Sequence, residues 1–196
     1  MNLVRAFKDF ITDDEKKILN DWSLSNYCND YFIDPKMDSN GLERTKLTTR
    51  FATPLISGNI LISSNSNFTY PKISYFIQQR IVNTFGFKNY GISPVGKDGI
   101  ITEVSFENGT VHPHIDPEWF PNTYTVHCNL ITQKPDSGGV TYIQGSPWDI
   151  NENDLLMYIV SKAEHSVNKI VGKKERVLWV FSFMLNIEDI KNNFYD

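Results

Sequence analysis

From residue 90 onward the chain is punctuated at short intervals. Six apolar runs, "GIITEVSFENG", "TYTVHCNLIT", "SGGVTYIQG", "DLLMYIVS", "HSVNKIVG" and "RVLWVFSFML", alternate with turn signals. Runs of this length and spacing read as strands, and they predict an antiparallel sandwich or barrel.

Two helices are predicted ahead of this β body. "ITDDEKKILNDWSL" opens with a capping box, in which Thr12 caps the helix and Glu15 reaches back to it. Asp13 and Asp14 suit the positive end of the helix dipole, and Ile18, Leu19 and Trp22 give an apolar face, for a helix from about 13 to 24. In "YPKISYFIQQRIVNTFGF", Pro71 suits the first turn and Gly86 can take the left-handed conformation that ends the helix. Its apolar stripe is Ile73, Phe76, Ile77, Ile81 and Phe85, which reads as core packing. Residues 26 to 45 are polar and irregular and predict a loop, whereas "KLTTRFA" alternates like a strand. There is no repeat, linker or low-complexity segment. Residues 1–196 are therefore expected to form one α+β domain, helical over about 1–90 and β over about 91–190.

Composition excludes several classes. Apolar residues make up 40% of the chain and charged ones 21%, well mixed, which suits a globular core rather than disorder. A net charge of −4 gives no broad footprint for nucleic acid. The locally basic "ERTKLTTR" at 43–50 reads as a solvated strand. No apolar run is long enough to span a bilayer. Cys28 and Cys128 lie far apart and form no metal-type pair. With an N-terminus that lacks the features of a signal peptide, they point to free thiols and a cytoplasmic protein. Abundant asparagine and isoleucine hint at an AT-rich genome of bacterial or phage origin.

The segment "VHPHIDPEWF" at 111–120 holds two of the four histidines. In a strand, alternate side chains share a face, so His114 and Asp116 can converge on one point. An imidazole nitrogen and a carboxylate oxygen suit a divalent first-row metal, and a facial site needs one further ligand. His112, His127 and His165 remain. His165 is best placed, at a strand opening about fifty residues on, as a barrel needs to bring distant strands together. A rival pair of His112 and His114 would leave Asp116 without a role.

With these motifs, residues 100 to 186 resemble the Fe(II)- and 2-oxoglutarate-dependent oxygenases, in particular the prolyl-4-hydroxylase-like branch. The resemblance rests on "ITEVSFENGTVHPHID", the hairpin "TYTVHCNLITQKPDSGGVTYI", "EHSV" around His165, "GKKERVLWVFSF" and, more loosely, the N-terminal "FKDFITDDEKKIL". It implies a double-stranded β-helix, a cupin-like jelly roll with N-terminal helices packed on one sheet. It implies His114, Asp116 and His165 as metal ligands. Arg176, eleven residues beyond His165, becomes the 2-oxoglutarate anchor, with Lys174 as the lesser candidate. A guanidinium fork matches the distal carboxylate of the cosubstrate. Asn129, Tyr124 and His127 are candidate cosubstrate contacts, while Trp119, Trp148 and His127 are candidate substrate contacts. The chain departs from the family pattern at Leu178, where a serine is common, and at Phe106, where a tyrosine is common.

The implied activity is hydroxylation of a prolyl or other protein side chain, or of a small molecule. The cofactors would be Fe(II) and 2-oxoglutarate, with ascorbate as reductant and succinate and CO2 as products. The alternative is a non-catalytic cupin-like metal- or ligand-binding protein. No membrane or nucleic-acid partner is expected.

Overall fold

The long apolar runs are buried on both faces, which puts them at the centre of the molecule. A computed structural model describes residues 2–28, 32–33, 56–57, 60–63, 68–94 and 96–195. Along the chain these form β1 (Val4–Phe7), α1 (Asp13–Asn26), β2 (Phe32–Ile33), β3 (Ile56–Ser57), β4 (Ile60–Ser63), α2 (Lys72–Phe85), β5 (Tyr90–Ile92), β6 (Ile100–Ser105) and β7 (Thr110–His114). Then follow β8 (Tyr124–Gln133), β9 (Thr141–Ile143), β10 (Ser146–Trp148), β11 (Leu155–Ile159), β12 (His165–Val167), β13 (Arg176–Leu185) and α3 (Ile187–Phe194). An eight-stranded sheet runs β1-β11-β8-β13-β6-β4-β2, with β5 also on β13, and a five-stranded sheet runs β10-β9-β12-β7-β3. The pairings are antiparallel.

Period-two alternation sorts the large sheet into two faces. Val126, Cys128 and Leu130 of β8, Leu155, Met157 and Ile159 of β11, and Val177, Trp179, Phe181 and Phe183 of β13 share one apolar cluster with Leu19 of α1 and Ile77 and Ile81 of α2. The intervening residues Ile131, Leu156, Tyr158, Leu178 and Val180 share a second cluster with Val111 and Ile143 of the smaller sheet. The central strands therefore face helices on one side and the other sheet on the opposite side. That is why they read as continuous apolar runs rather than alternating ones. Helix α1 is tied to β6 by a buried hydroxyl pair, Ser23 Oγ and Thr102 Oγ1, 2.9 Å apart.

The capping box forms as read: Glu15 N–H donates to Thr12 Oγ1 at 3.2 Å, and Thr12 N–H donates to Glu15 Oε2 at 2.9 Å. The Arg80 guanidinium then binds the Glu15 carboxylate and joins the two helices. Hydrogen bonding to Arg80 is the main reason that this carboxyl is held below its usual range. Gly86 ends α2 at φ +61°.

Three expectations change. Phe76 is 65% exposed and Ile18 48% exposed, because each lies about 100° around its helix from the buried residue beside it, Ile77 or Leu19. Strands precede residue 90: β1 pairs with β11 and β4 with β6, so the N-terminal half is not purely helical. The β body stops at Leu185 and is followed by α3, capped by Asn186 and seated in the first cluster through Ile190 and Phe194. Of the loop expected over 26–45, Phe32 and Ile33 pair with β4 and most of the rest lies outside the described residues. The strand expected at 46–52 and the basic 43–50 segment also lie outside them.

Cys28 is exposed, Cys128 is buried, and both are free. Burial pushes the Cys128 thiol far above its ordinary range. Thiol reagent on the native protein should therefore modify Cys28 alone, and both should react after unfolding without reductant. Mass spectrometry of the labelled protein checks this; protection of both after unfolding would contradict it. Among the described residues, no helix is long and apolar enough to cross a membrane.

Candidate metal centre

A slip in strand register builds the site. Strand β12 pairs with β7 at His165↔His114 and again at Val167↔Val111, so two steps on β12 match three on β7. The extra residue is a β-bulge, and it reverses the alternation. Val111 and His114 both line the cavity between the sheets, while the His112 side chain is exposed. Pro113, inside the bulge, has no N–H to leave unmatched. The alternation that would put His112 beside His114 is thereby broken, and with it the rival His112–His114 pair.

Asp116 lies past the end of β7, buried, with its N–H donating to Val160 O at 2.9 Å. Its Oδ1 is 3.3 Å from His114 Nε2 and 3.7 Å from His165 Nε2. One ligand atom from each of the three residues lies within 4.8 Å of the others. His114 Nδ1 is 2.8 Å from the His112 carbonyl oxygen, and His165 Nδ1 is 3.1 Å from that of Ala163. A carbonyl oxygen only accepts, so each Nδ1 carries the proton and each Nε2 turns a lone pair toward the common point. Two neutral imidazoles and one carboxylate on one side of a point are the donor set that non-haem iron(II) takes, with its remaining positions open. The residues fit such an ion.

The cavity lies between the sheets and is lined from both. Its walls include Ile62, Ile101, Leu178 and Val180, and its polar groups include Asn129, Thr141, Tyr158 and Arg176. Arg176 is 0% exposed. Its Nη1 donates to Glu103 Oε1 at 3.0 Å and its Nη2 to Thr141 Oγ1 at 3.4 Å. Its Nε has no hydrogen-bond partner among the described residues. A buried guanidinium with a donor to spare fits a carboxylate ligand entering this cavity.

No protein-family model matches the sequence, and no curated protein does. Solved structures match over nearly the whole chain. A viral collagen prolyl hydroxylase of Paramecium bursaria Chlorella virus-1, in complex with 2-oxoglutarate, has a TM-score of 0.63 at 8% identity, covering 93% of this chain and 96% of its own. A Trichoplax adhaerens prolyl hydroxylase, in complex with a peptide fragment of the hypoxia-inducible-factor oxygen degradation domain, has 0.63 at 13% identity, over 96% and 86%. HygX of Streptomyces hygroscopicus, with nickel and 2-oxoglutarate bound, has 0.61 at 8% identity, over 95% and 84%. The fold is that of the 2-oxoglutarate oxygenases.

Within this oxygenase fold, His114, Asp116, His165, Arg176, Asn129 and His127 all line one cavity. His127 Nε2 lies 3.8 Å from Asp116 Oδ2, beside the triad. Tyr124 does not reach the cavity. It has the parity of Val126 and Cys128, so it packs against the helix-side cluster, with Lys162 Nζ 5.5 Å from its ring. Trp119 and Trp148 are half-buried against the second cluster and are not among the lining residues. Lys174 lies in an exposed turn, where its N–H and that of Lys173 donate to Asp136 Oδ2, away from the cavity.

The polar lining residues Glu103, Thr141, Tyr158 and Ser166 were not among the candidates expected from the sequence. The Tyr158 hydroxyl accepts from Asn129 Nδ2 at 3.1 Å, and burial pushes its phenol well above the ordinary range. Glu103 was visible as the one charge inside the apolar run "IITEVS". Thr141 and Tyr158 carried no signal beyond their parity.

Proposed function

We propose that the protein is an Fe(II)- and 2-oxoglutarate-dependent oxygenase, a single double-stranded β-helix domain with helices packed on its larger sheet. Its substrate would be a prolyl or other protein side chain, or a small molecule. The observation that carries this reading is the convergence of His114, Asp116 and His165 on one point, with the buried Arg176 in the same cavity. With iron(II) bound, the site would couple 2-oxoglutarate and dioxygen: one oxygen atom would enter succinate as the keto acid loses CO2, and the other would enter a substrate C–H bond.

The chain's own residues do the holding. His114, Asp116 and His165 would hold the metal. Arg176 receives the distal carboxylate of the cosubstrate, with Thr141, Asn129 and Tyr158 around it. The apolar walls keep bulk water from the reacting groups, which strengthens every polar contact there. Substrate would enter beside the segment around Asp116, where Ile115 and Phe120 are exposed. The buried guanidinium in the same cavity as the triad favours this reading over a protein that binds a metal alone.

Purified protein given iron(II), 2-oxoglutarate and ascorbate is expected to release succinate above a protein-free control, and Asp116→Ala should lose that release. Absence of succinate from protein that demonstrably holds iron and keto acid would favour the binding reading. Mass spectrometry of peptide, nucleoside and amino-acid mixtures for the gain of one oxygen then identifies the substrate class.

A further inference from the structure

Strand β6 places a carboxylate beside the buried guanidinium. Leu178 pairs with Glu103 and Arg176 with Ser105, so Glu103 and Arg176 are diagonal neighbours on the cavity face. Glu103 Oε1 accepts from Arg176 Nη1 at 3.0 Å and from Ser105 Oγ at 2.5 Å. The pair is shielded, with side-chain exposures of 0% and 12%. A guanidinium has five N–H donors in a planar fork. Glu103 takes Nη1, Thr141 Oγ1 lies 3.4 Å from Nη2, and Nε is left without a partner among the described residues. The edge formed by Nε and Nη2 is thus the one still able to receive a second carboxylate side-on.

Resting on the oxygenase reading, we propose that Glu103 is a specificity-determining residue that weakens the grip of Arg176 on the distal carboxylate of 2-oxoglutarate. Without a ligand, Arg176 and Glu103 neutralise each other. When a carboxylate docks on the open edge, one guanidinium faces two carboxylates across its own width, in a cavity with apolar walls. Each is attracted to the guanidinium, but the two repel each other at a separation where water screens poorly. The cosubstrate requirement rises as a result. Discrimination between a keto acid with a distal carboxylate and one without falls below what a lone arginine would give. A purely structural role for Glu103, holding the guanidinium in place, predicts the opposite sign: removal of its charge would leave cosubstrate binding unchanged or weaken it.

The test is calorimetric titration of the zinc-loaded protein, which is redox-inert, with 2-oxoglutarate and with 2-oxopentanoate, its analogue lacking the distal carboxylate. Glu103→Gln keeps an acceptor for Nη1 and for Ser105 and removes only the charge. It should tighten 2-oxoglutarate by about tenfold or more and leave 2-oxopentanoate within about twofold. Glu103→Ala deletes the same charge and carries the comparison if the glutamine variant does not fold. Unchanged or weaker 2-oxoglutarate binding, or equal tightening of both keto acids, overturns the proposal for Glu103 and leaves the oxygenase reading standing. If zinc-loaded wild type binds neither keto acid, the oxygenase reading itself fails, and this proposal with it.

Discussion

Alanine at His114, Asp116 or His165 is expected to cut iron(II) affinity by roughly a hundredfold or more, since losing even a group that merely orients a ligand costs up to about that much. Each variant removes one of three side chains whose ligand atoms lie within 4.8 Å of one another. His112→Ala should keep the metal. Its side chain is exposed, and it supports His114 through its backbone carbonyl, which alanine retains. Equilibrium dialysis with metal analysis measures all four variants. Loss of iron in His112→Ala with retention in His165→Ala would reverse the assignment. Circular dichroism guards against unfolding.

Arg176→Ala is expected to raise the 2-oxoglutarate requirement steeply while iron affinity stays near that of the wild type. Loss of one buried charge-assisted pair costs about 2–5 kcal/mol. In affinity that is roughly tens- to thousands-fold. The variant also strands Glu103, whose carboxylate would then face the cosubstrate with no guanidinium between them. Arg176→Ala combined with Glu103→Gln should therefore recover part of the loss, a coupling that two independent residues would not show. Arg176→Lys should recover only part as well, because an ammonium cannot hold Glu103 and a second carboxylate in one plane. Anaerobic titration of 2-oxoglutarate into the iron(II) protein, followed by its charge-transfer absorbance, gives the midpoints. An unchanged midpoint in Arg176→Ala would remove the anchor role. Lys173 and Lys174 are poor replacements, since both sit in the exposed turn held by Asp136.

Local patterns were legible where their physics is local. The capping box of Thr12 and Glu15 and the left-handed Gly86 need only their neighbours in sequence, and both stand as read. The strand-length apolar runs of β6, β8, β11 and β13 were legible because burial on both faces leaves few polar interruptions. The same logic missed β1, at four residues too short to show a period, and α3, whose short sequence carries few apolar positions. It also put Phe76 in a stripe whose true centre is Ile77 and Ile81.

By itself, the sequence determined which residues were available as ligands and anchor. Tertiary structure alone decided what each face meets. His165 and His114 are direct cross-strand partners although about fifty residues separate them, and that pairing follows from strand registers that no local pattern encodes. The bulge at Pro113 reversed the alternation of β7, so His112 left the cavity and Val111 joined it. Parity on β8 sent Tyr124 to the helices and Asn129 to the cavity, and the register of β6 against β13 set Glu103 against Arg176. Side-chain alternation is a relative quantity. It becomes an absolute direction only when pairing and packing with distant strands choose which face is buried against what.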